Sequence, residues 1–333
     1  MLTKVTVVGA GAMGTVTALI LASNRTHVAL LTRDADRAAE LLTTRENRRY
    51  LAGARLPERI VPTADAGAAL ANSELIISAV PCQYLSATWS ALARHTPPET
   101  PICSVTKGID PATLLRPSEL IARQVLSNPQ AVLSGPCIAA EVARCLPATV
   151  VVASSSDDVA LLVQGALTAS WFRVYTSPDA AGVELAGALK NVIALAAGIL
   201  DGLHAGDNAK AALLTRGLVE ITRLGVAMGA RAQTFAGLAG VGDLVTTCVS
   251  PHGRNRSAGE RIGLGTPVDA VVRESRSVIE GVPTTRAVLA LAEQYSVEMP
   301  ITQAVYSVLF ERKSPLDAIS ELMNRPLKRE ELL

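Results

Sequence analysis

The stretch Gly9-Ala10-Gly11-Ala12-Met13-Gly14 decides the fold of the N-terminal half of this chain. It follows the apolar run Lys4–Val8, which predicts a strand, and it opens Ala12–Ser23, which predicts a helix. In a G-x-G-x-x-G turn the first glycine allows a tight turn, the second lets the backbone approach a pyrophosphate, and the third lets helix and strand pack closely. The helix N-terminus adds N–H groups and partial positive charge. The pattern therefore predicts a dinucleotide-binding site.

The first half of the chain alternates short apolar runs with helical patterns, which is typical of a parallel sheet covered by helices. The predicted strands are Lys4–Val8, His27–Thr32, Leu75–Val80, Ile102–Thr106, Ala131–Ser134, Thr149–Ala153 and Arg173–Tyr175. The predicted helices are Ala12–Ser23, Ala35–Thr43, Gln83–Arg94 and Asp157–Leu167. We predict an α/β fold with a Rossmann-type NAD(P)-binding domain over residues 1–178.

From about Asp179 onward, long Ala- and Leu-rich stretches with helical periodicity replace the strands. The predicted helices are Asp179–Leu200, Ala209–Met228, Pro267–Arg273, Thr284–Tyr295 and Pro300–Phe310. Residues 179–333 are therefore expected to form an all-helical substrate and catalytic domain. Its apolar content is the basis for expecting a homodimer.

Composition excludes several classes of protein. Of the 333 residues, 49% are hydrophobic and 18% charged, which excludes a disordered chain. Aromatic residues make up 3%, too few for stacking single-stranded nucleic acid. The 31 basic residues are balanced by 30 acidic ones, so no broad surface for nucleic acid is expected. Only six of the basic residues are lysines, which makes each lysine in an apolar segment conspicuous.

Cysteine usage and hydropathy bear on location. The five cysteines are an odd number without a C-x-x-C pair, and the four histidines show no metal-ligand spacing, so neither disulfides nor a metal site is predicted. No run of about 18 uncharged apolar residues occurs, and glycines interrupt the apolar N-terminal stretch, so neither membrane insertion nor a leader peptide is expected. We expect a cytoplasmic protein.

The end of the second predicted strand, Thr32-Arg33-Asp34, bears on the choice of cofactor. An acid there accepts from a ribose 2′-hydroxyl, whereas an arginine suits a 2′-phosphate. Arg33 comes first and favours NADP(H), while the adjacent Asp34 leaves NAD(H) possible. A solvated Arg–Asp pair at a strand end is the alternative.

Lys190 and Asn191 interrupt an otherwise almost wholly apolar helical pattern. Such a lysine either extends its ammonium to the surface or is buried for a purpose. Burial would lower its pKa toward the range used in acid–base catalysis.

Two further segments carry candidate charges. Lys107 follows a predicted strand, at the edge of the sheet where ligands bind in α/β folds, although it could be an exposed loop lysine. A glycine-rich loop delivers Asp243, and Gly253-Arg254-Asn255-Arg256 follows with guanidinium groups suited to a phosphate. A plain turn before a charged helix start is the other interpretation.

The chain as a whole resembles the bacterial soluble family of NAD(P)-dependent sn-glycerol-3-phosphate dehydrogenases. The matching stretches are Gly9–Thr15, Asn47–Gly53, Ser78–Pro81, Lys107-Gly108, Ser134–Pro136 with Ala140–Val142, Gly182–Ala197, Asn208–Leu218, Gly237–Cys248, Arg254–Arg256 and Glu280–Val282. The resemblance implies reversible hydride transfer between NAD(P)H and C2 of dihydroxyacetone phosphate, giving sn-glycerol 3-phosphate, a phospholipid precursor.

The resemblance also implies roles for individual residues. Lys190 would donate and accept the proton at the C2 oxygen, assisted by Lys107 and oriented by Asp243. The implied substrate-binding residues are Lys107, Gly135, Cys137, Lys190, Asn191, Asp243, Thr247, Gly253, Arg254 and Asn255. The implied cofactor-binding residues are Gly9, Gly11, Ala12, Met13, Gly14, Arg33, Tyr50, Lys107, Ala139, Arg254, Val278 and Glu280.

Several positions depart from the family pattern. Cys137 and Gly253 stand where the family typically has serine, Ala12-Met13 replaces Ser-Trp, and Ala52 replaces proline. Losing hydroxyl donors beside a buried ligand group costs about 1–3 kcal/mol each. These departures leave open a different phosphorylated or phosphonylated substrate. A 2-oxo acid reductase of the ketopantoate or β-hydroxyacid type and an inactive NADPH sensor are further alternatives.

Overall fold

The computed structural model describes residues 2–275, 278–327 and 329–330. The chain divides into two compact units: Met1–Thr106 with Pro117–Ala180, and Lys107–Arg116 with Ala181–Leu333. The short segment Lys107–Arg116 therefore belongs to the second unit, although it lies within the N-terminal half of the sequence. The boundary at residue 178 stays a prediction.

The first unit contains, among its described residues, an eight-stranded sheet and a separate two-stranded hairpin. Its strands are β1 (Lys4–Val8), β2 (His27–Leu31), β3 (Glu46–Asn47), β4 (Leu51–Arg55), β5 (Ile60–Thr63), β6 (Leu75–Ser78), β7 (Ile102–Ser104), β8 (Gln130–Ser134), β9 (Ala148–Ser154) and β10 (Phe172–Ser177). Its helices are α1 (Ala12–Ser23), α2 (Ala35–Thr44), α3 (Ala66–Leu70), α4 (Leu85–Leu92), α5 (Pro117–Ala122), α6 (Ala139–Val142) and α7 (Asp157–Leu167). The strand order β10-β9-β8-β7-β6-β1-β2-β5 confirms the Rossmann-type plan.

The alternating pattern predicted a parallel sheet, but one pair of strands in the observed sheet is antiparallel. β8 and β9 pair antiparallel, with Ala131 opposite Ser154 and Ser134 opposite Val151. The connection between them, residues 135–147, holds only the four-residue α6, which is shorter than the helix that usually forms a parallel crossover. Elsewhere the strands pair parallel, and every residue of β6 is buried, as a central strand requires.

The antiparallel hairpin β3–β4, the edge strand β5 and the short helices α3, α5 and α6 were not predicted. β3 has only two residues and β4 is mostly exposed, so neither shows the alternation by which a half-buried strand is recognised. The hairpin matters because it lies against the glycine-rich turn through Asn47.

The described residues of the second unit form helices. They are α8 (Ala180–Gly202), α9 (Asp207–Ala227), α10 (Ala232–Phe235), α11 (Asp243–Val249), α12 (Arg254–Gly263), α13 (Val268–Glu274), α14 (Gly281–Gln294), α15 (Pro300–Phe310) and α16 (Pro315–Met323). The segment Leu238–Gly242, expected to be a loop, is one wide helical turn that leads directly into α11. This continuity places Asp243 in the first turn of a helix.

Helices α8 and α12 meet backbone to backbone. A Cβ atom on Gly198 would lie 1.9 Å from the carbonyl oxygen of Arg256, and one on Gly202 would lie 2.3 Å from that of Glu260. In the other direction, a Cβ on Gly259 would lie 2.1 Å from the carbonyl oxygen of Leu195. The two helices therefore face each other through glycines spaced four apart, which is what fixes α12 beside the helix that carries Lys190.

Helix α8 is long and apolar enough to cross a membrane, a test that was applied to the described residues only. However, 89% of its apolar window is buried inside the protein, as expected of a core helix.

Candidate active site

The glycine-rich turn has the geometry that its sequence predicts. Gly9 has a φ of +103°, and a Cβ there would lie 2.8 Å from the carbonyl oxygen of Ala79. A Cβ on Gly14 would lie 1.8 Å from the carbonyl oxygen of Gly9, so the third glycine lets α1 press against the turn. A Cβ on Gly11 would meet nothing within 4 Å. The second glycine thus borders open space at the N-terminus of α1, and this cradle fits a pyrophosphate.

At the end of β2 the acid and the arginine have different surroundings. Asp34 is the N-cap of α2, and its Oδ1 accepts a hydrogen bond of 2.8 Å from the backbone N–H of Arg37. The Arg33 side chain is 96% exposed, and its Nε lies 3.7 Å from Asp34 Oδ2. The arginine is therefore free to turn toward an anion, whereas the acid is held by the helix that it caps.

A cluster of two lysines, one carboxylate and one hydroxyl lies in the second unit. Lys190 Nζ on α8 is 2.6 Å from Asp243 Oδ1, and Lys107 Nζ is 2.6 Å from Asp243 Oδ2. Lys190 also donates to the hydroxyl of Thr247, one turn further along α11. Because Asp243 uses one oxygen for each ammonium, it sets the position of both lysines. We call Lys107, Lys190, Asp243 and Thr247 the lysine cluster.

Burial gives this cluster unusual electrostatics. The side chains of Lys190 and Asp243 are only 5% and 3% exposed, while that of Lys107 is 21% exposed. Burial by itself would raise the pKa of Asp243, but the charges of Lys107 and Lys190 and their hydrogen bonds outweigh it and hold the pKa below its ordinary value. The carboxylate of Asp243 is therefore ionised. Because Lys190 is buried, the alternative in which its ammonium extends to the surface does not apply.

Neighbouring Cys248 does not serve as a nucleophile. It is fully buried, and burial raises the pKa of its thiol to about 12. A thiol is reactive only as the thiolate. The cluster is therefore suited to proton transfer and charge stabilisation rather than to covalent catalysis.

A buried pair of asparagines joins α8, α12 and α14. Asn255 Nδ2 donates to Asn191 Oδ1 at 2.9 Å, and Asn255 Oδ1 accepts from the backbone N–H of Gly281 at 2.9 Å. Asn191 directly follows Lys190, so this network ties the start of α12 to the lysine cluster. Arg254, the first residue of α12, is exposed and donates from Nη1 to the carbonyl of Val278 at 3.2 Å. Its guanidinium is thus held beside Val278, one of the residues predicted to contact the cofactor.

The remaining candidate residues fall in separate parts of the chain. In the first unit, Gly135 has a φ of +135° at the end of β8, and Cys137 Sγ donates to its carbonyl at 3.2 Å. Ala139 begins α6, and the half-exposed Tyr50 ring lies 5.1 Å from the guanidinium carbon of Arg49. In the second unit, Gly253 is the N-cap of α12 and Glu280 that of α14.

Sequence reasoning did not single out Asn47 or Asp201, each of which connects elements within its own unit. Asn47 is fully buried and bonded to the glycine-rich turn. Asp201 near the end of α8 accepts from Lys210 Nζ at 2.7 Å and from Arg256 Nε at 2.7 Å, which joins α8, α9 and α12. The polar run Arg254-Asn255-Arg256 was the one sequence signal for the contacts of Asp201. It indicated a charged helix start but did not show which residues the arginines bind.

Comparison with known proteins assigns the chain to a family. The family model described as the NAD-dependent glycerol-3-phosphate dehydrogenase N-terminus matches residues 4–160, and the model of the C-terminus of the same family matches residues 179–320. This chain belongs to the NAD-dependent glycerol-3-phosphate dehydrogenase family. A curated relative named glycerol-3-phosphate dehydrogenase [NAD(P)+], from Desulfitobacterium hafniense, is 46% identical over 327 residues, which are 98% of this chain and 93% of the relative.

Solved structures agree with the family. The crystal structure of glycerol-3-phosphate dehydrogenase from Coxiella burnetii is 36% identical, with a TM-score of 0.93 over 97% of this chain and 99% of that chain. A ketopantoate reductase from Ralstonia eutropha is 14% identical with a TM-score of 0.60, covering 96% of this chain and all of that one, a likeness of fold alone. The alternative of a 2-oxo acid reductase is therefore not favoured.

Proposed function

We propose that this protein reduces dihydroxyacetone phosphate to sn-glycerol 3-phosphate, reversibly, with a nicotinamide cofactor. The observation that carries the proposal is the lysine cluster, in which Asp243 holds the ammonium groups of Lys190 and Lys107 at 2.6 Å each. Membership of the glycerol-3-phosphate dehydrogenase family supplies the substrate.

In this proposal the chain's own residues control charge and protons at the C2 oxygen. A carbonyl that gains hydride develops negative charge on oxygen, and preorganised cations stabilise that charge. Lys190 donates the proton from Nζ in reduction and takes it back in oxidation, while Lys107 supplies a second positive charge. Asp243 keeps both ammonium groups in place, and the Thr247 hydroxyl holds Lys190 from the other side.

The phosphate of the substrate needs a separate anchor. We assign it to the start of α12, where Arg254 offers a fork of N–H donors and the helix terminus adds partial positive charge. Asn255 stays tied to Asn191 and Gly281, so its role here is to fix the position of this helix start. The replacement of serine by Gly253 removes a hydroxyl from this anchor.

The cofactor is assigned to the glycine-rich turn, where it would supply the hydride when bound. The open space at Gly11 and the N-terminus of α1 fit its pyrophosphate, and Arg33 fits a 2′-phosphate. Asp34 is committed to capping α2, which supports NADPH as the preferred form, with NADH also accepted.

Three further attributes belong to this proposal. The five cysteines are free thiols, which supports a cytoplasmic setting. The product would feed phospholipid synthesis. Exposed apolar side chains on α16, Leu316 and Met323, support a homodimer, which sedimentation equilibrium would test.

Initial rates with the purified protein test the activity. Dihydroxyacetone phosphate and a panel of phosphonate and 2-oxo acid analogues are each assayed with NADPH and NADH. We expect Lys190→Ala to abolish reduction while NADPH still binds in a fluorescence titration. Lys313→Ala is the matched control, because Lys313 pairs with Glu321 and lies outside the cluster. A near-full rate for Lys190→Ala, or a negligible rate for dihydroxyacetone phosphate beside an analogue, would refute the proposal.

A further inference from the structure

A buried amide from the hairpin β3–β4 holds the glycine-rich turn. Asn47 is fully buried, and its Nδ2 donates to the carbonyl oxygen of Ala10 at 3.0 Å and to the hydroxyl of Thr15 at 2.7 Å. Its Oδ1 accepts a hydrogen bond from the guanidinium of Arg37 on α2. All four residues belong to the first unit. One side chain thus connects the turn, α1, α2 and the hairpin.

The bond from Arg37 decides which way the amide of Asn47 faces. A guanidinium only donates, so it requires the oxygen of the amide on its side. The Nδ2 group is thereby directed to the other side, toward Ala10, whose carbonyl only accepts. Both partners require the same orientation, so the amide cannot be turned over without losing bonds on both sides.

This orientation controls a backbone donor of the turn. The described residues contain no cis peptide bond, and a trans peptide holds its C=O and N–H on opposite sides. Because Asn47 binds the carbonyl of Ala10, the N–H of Gly11 in the same peptide faces away from Asn47. Gly11 is the N-cap of α1, and it borders the open space that fits a pyrophosphate.

We propose that Asn47 is a positioning residue that presets the Gly11 peptide for the pyrophosphate of the cofactor. The inference rests on the proposed function for the identity of the ligand. Without Asn47 the peptide between Ala10 and Gly11 can rotate, so a bound pyrophosphate would have to order it. The predicted consequence is weaker binding of ligands that carry a pyrophosphate.

Asn47→Asp is the test, since it keeps the shape and the bond to Arg37 but removes both donors. Two probes are titrated at equilibrium without substrate: NADPH, and adenosine 2′-monophosphate, which has the 2′-phosphate but no pyrophosphate. We expect the Kd for NADPH to rise about tenfold and the Kd for adenosine 2′-monophosphate to stay within about twofold. Asn47→Ala, which introduces no charge, serves with the same expectations if the first variant does not fold.

Asn128→Asp is the matched control. Asn128 is also buried in the first unit, and its Nδ2 donates to the carbonyls of Pro97 and Thr100, each at 2.8 Å. It precedes the start of β8, so it lies at the amino ends of the parallel strands, whereas the glycine-rich turn follows the carboxyl end of β1. We expect this variant to lose stability to a similar degree but to bind both probes as the wild type does.

Unchanged NADPH binding by the Asn47 variants would overturn the proposal. An equal loss of affinity for both probes would also overturn it, because damage to the whole unit would then explain the result. Since these titrations contain no substrate, failure of the protein to reduce dihydroxyacetone phosphate would contradict the proposed function without affecting this test.

Discussion

Replacement of Gly198 by alanine tests whether the backbone contact between α8 and α12 holds the second unit in its working geometry. The added Cβ would lie 1.9 Å from the carbonyl oxygen of Arg256. Carbon–oxygen contacts between helices begin at about 3.3 Å, so α12 would have to move away by roughly 1.4 Å. A backbone atom on a packed helix cannot turn aside as a flexible side chain can.

The expected loss of stability combines two unfavourable contributions and one favourable one. Overpacking costs about 1–3 kcal/mol, and the upper end applies here because the obstructing atom is backbone. The same movement would lengthen the 2.9 Å bond between Asn255 and Asn191 beyond hydrogen-bond range, which adds about 1 kcal/mol. Alanine in place of glycine inside a helix returns about 0.5–1 kcal/mol. A net loss of about 3 kcal/mol lowers the Tm of a domain of this size by about 6–12 °C.

Activity should fall with stability. Arg254 and Asn255 lie on the helix that would move, and misplacement of a binding group by about 1 Å can cost about 100-fold in rate. We expect kcat/KM for dihydroxyacetone phosphate to drop by that order at a temperature where the variant is still folded.

Thermal melting followed by circular dichroism, together with initial rates, measures both effects. Gly165→Ala is the matched control, because Gly165 lies inside α7 and a Cβ there would meet nothing within 4 Å. That variant should gain about 0.5–1 kcal/mol, since alanine favours helix over glycine. If Gly198→Ala has the same Tm as the wild type and the same KM for dihydroxyacetone phosphate, the contact between α8 and α12 does not constrain the site.

Three other perturbations address the charged groups. Asp243→Asn leaves the buried ammonium group of Lys190 and the partly buried one of Lys107 without their shared carboxylate, so we expect a loss of about 3–5 kcal/mol at neutral pH and at least a 100-fold lower kcat. Because the pKa of Asp243 is lowered from 3.8, its stabilisation is complete above that pH and is lost as the pH falls through the folded value. The gap in unfolding free energy between wild type and variant should therefore narrow below about pH 3.8 in urea titrations, and a constant gap would contradict this assignment. Arg254→Ala should raise the KM for dihydroxyacetone phosphate at least tenfold in initial-rate assays; an unchanged KM would remove Arg254 from the phosphate anchor. Arg33→Ser should raise the KM for NADPH but not that for NADH, and equal changes would show that Arg33 does not read the 2′-phosphate.

The strongly periodic elements were predictable from the sequence. Helices Ala12–Ser23, Asp157–Leu167 and Pro300–Phe310 occur with the bounds that were predicted, and α8 differs by one or two residues at each end. Apolar composition and local start signals, such as the Ser156 cap of α7 and Pro300 at the start of α15, mark these helices in the sequence. By contrast, the hairpin β3–β4 depends on a few tertiary bonds such as those of Asn47, which no local pattern reveals.

The site was predictable only in part from the residues themselves. A lysine in an apolar helix left two interpretations open, an ammonium at the surface or a buried one, and the structure shows that Lys190 is buried. Its bond to Asp243 spans 53 residues of sequence, and no spacing rule predicts such a pair. The glycines of α8 carry no local signal of their role, because their importance depends on the facing glycines of α12.

The helix cap at Asp34 constrains how this protein could change its cofactor during evolution. An acid at the end of β2 is the group that a dinucleotide fold uses to bind an unphosphorylated ribose. Here that acid is committed to α2, and releasing it would cost about 1 kcal/mol of helix stability. If NADPH is the preferred form, as proposed above, a shift toward NADH would be made most simply by a new acid at position 33, with Asp34 left in its structural role.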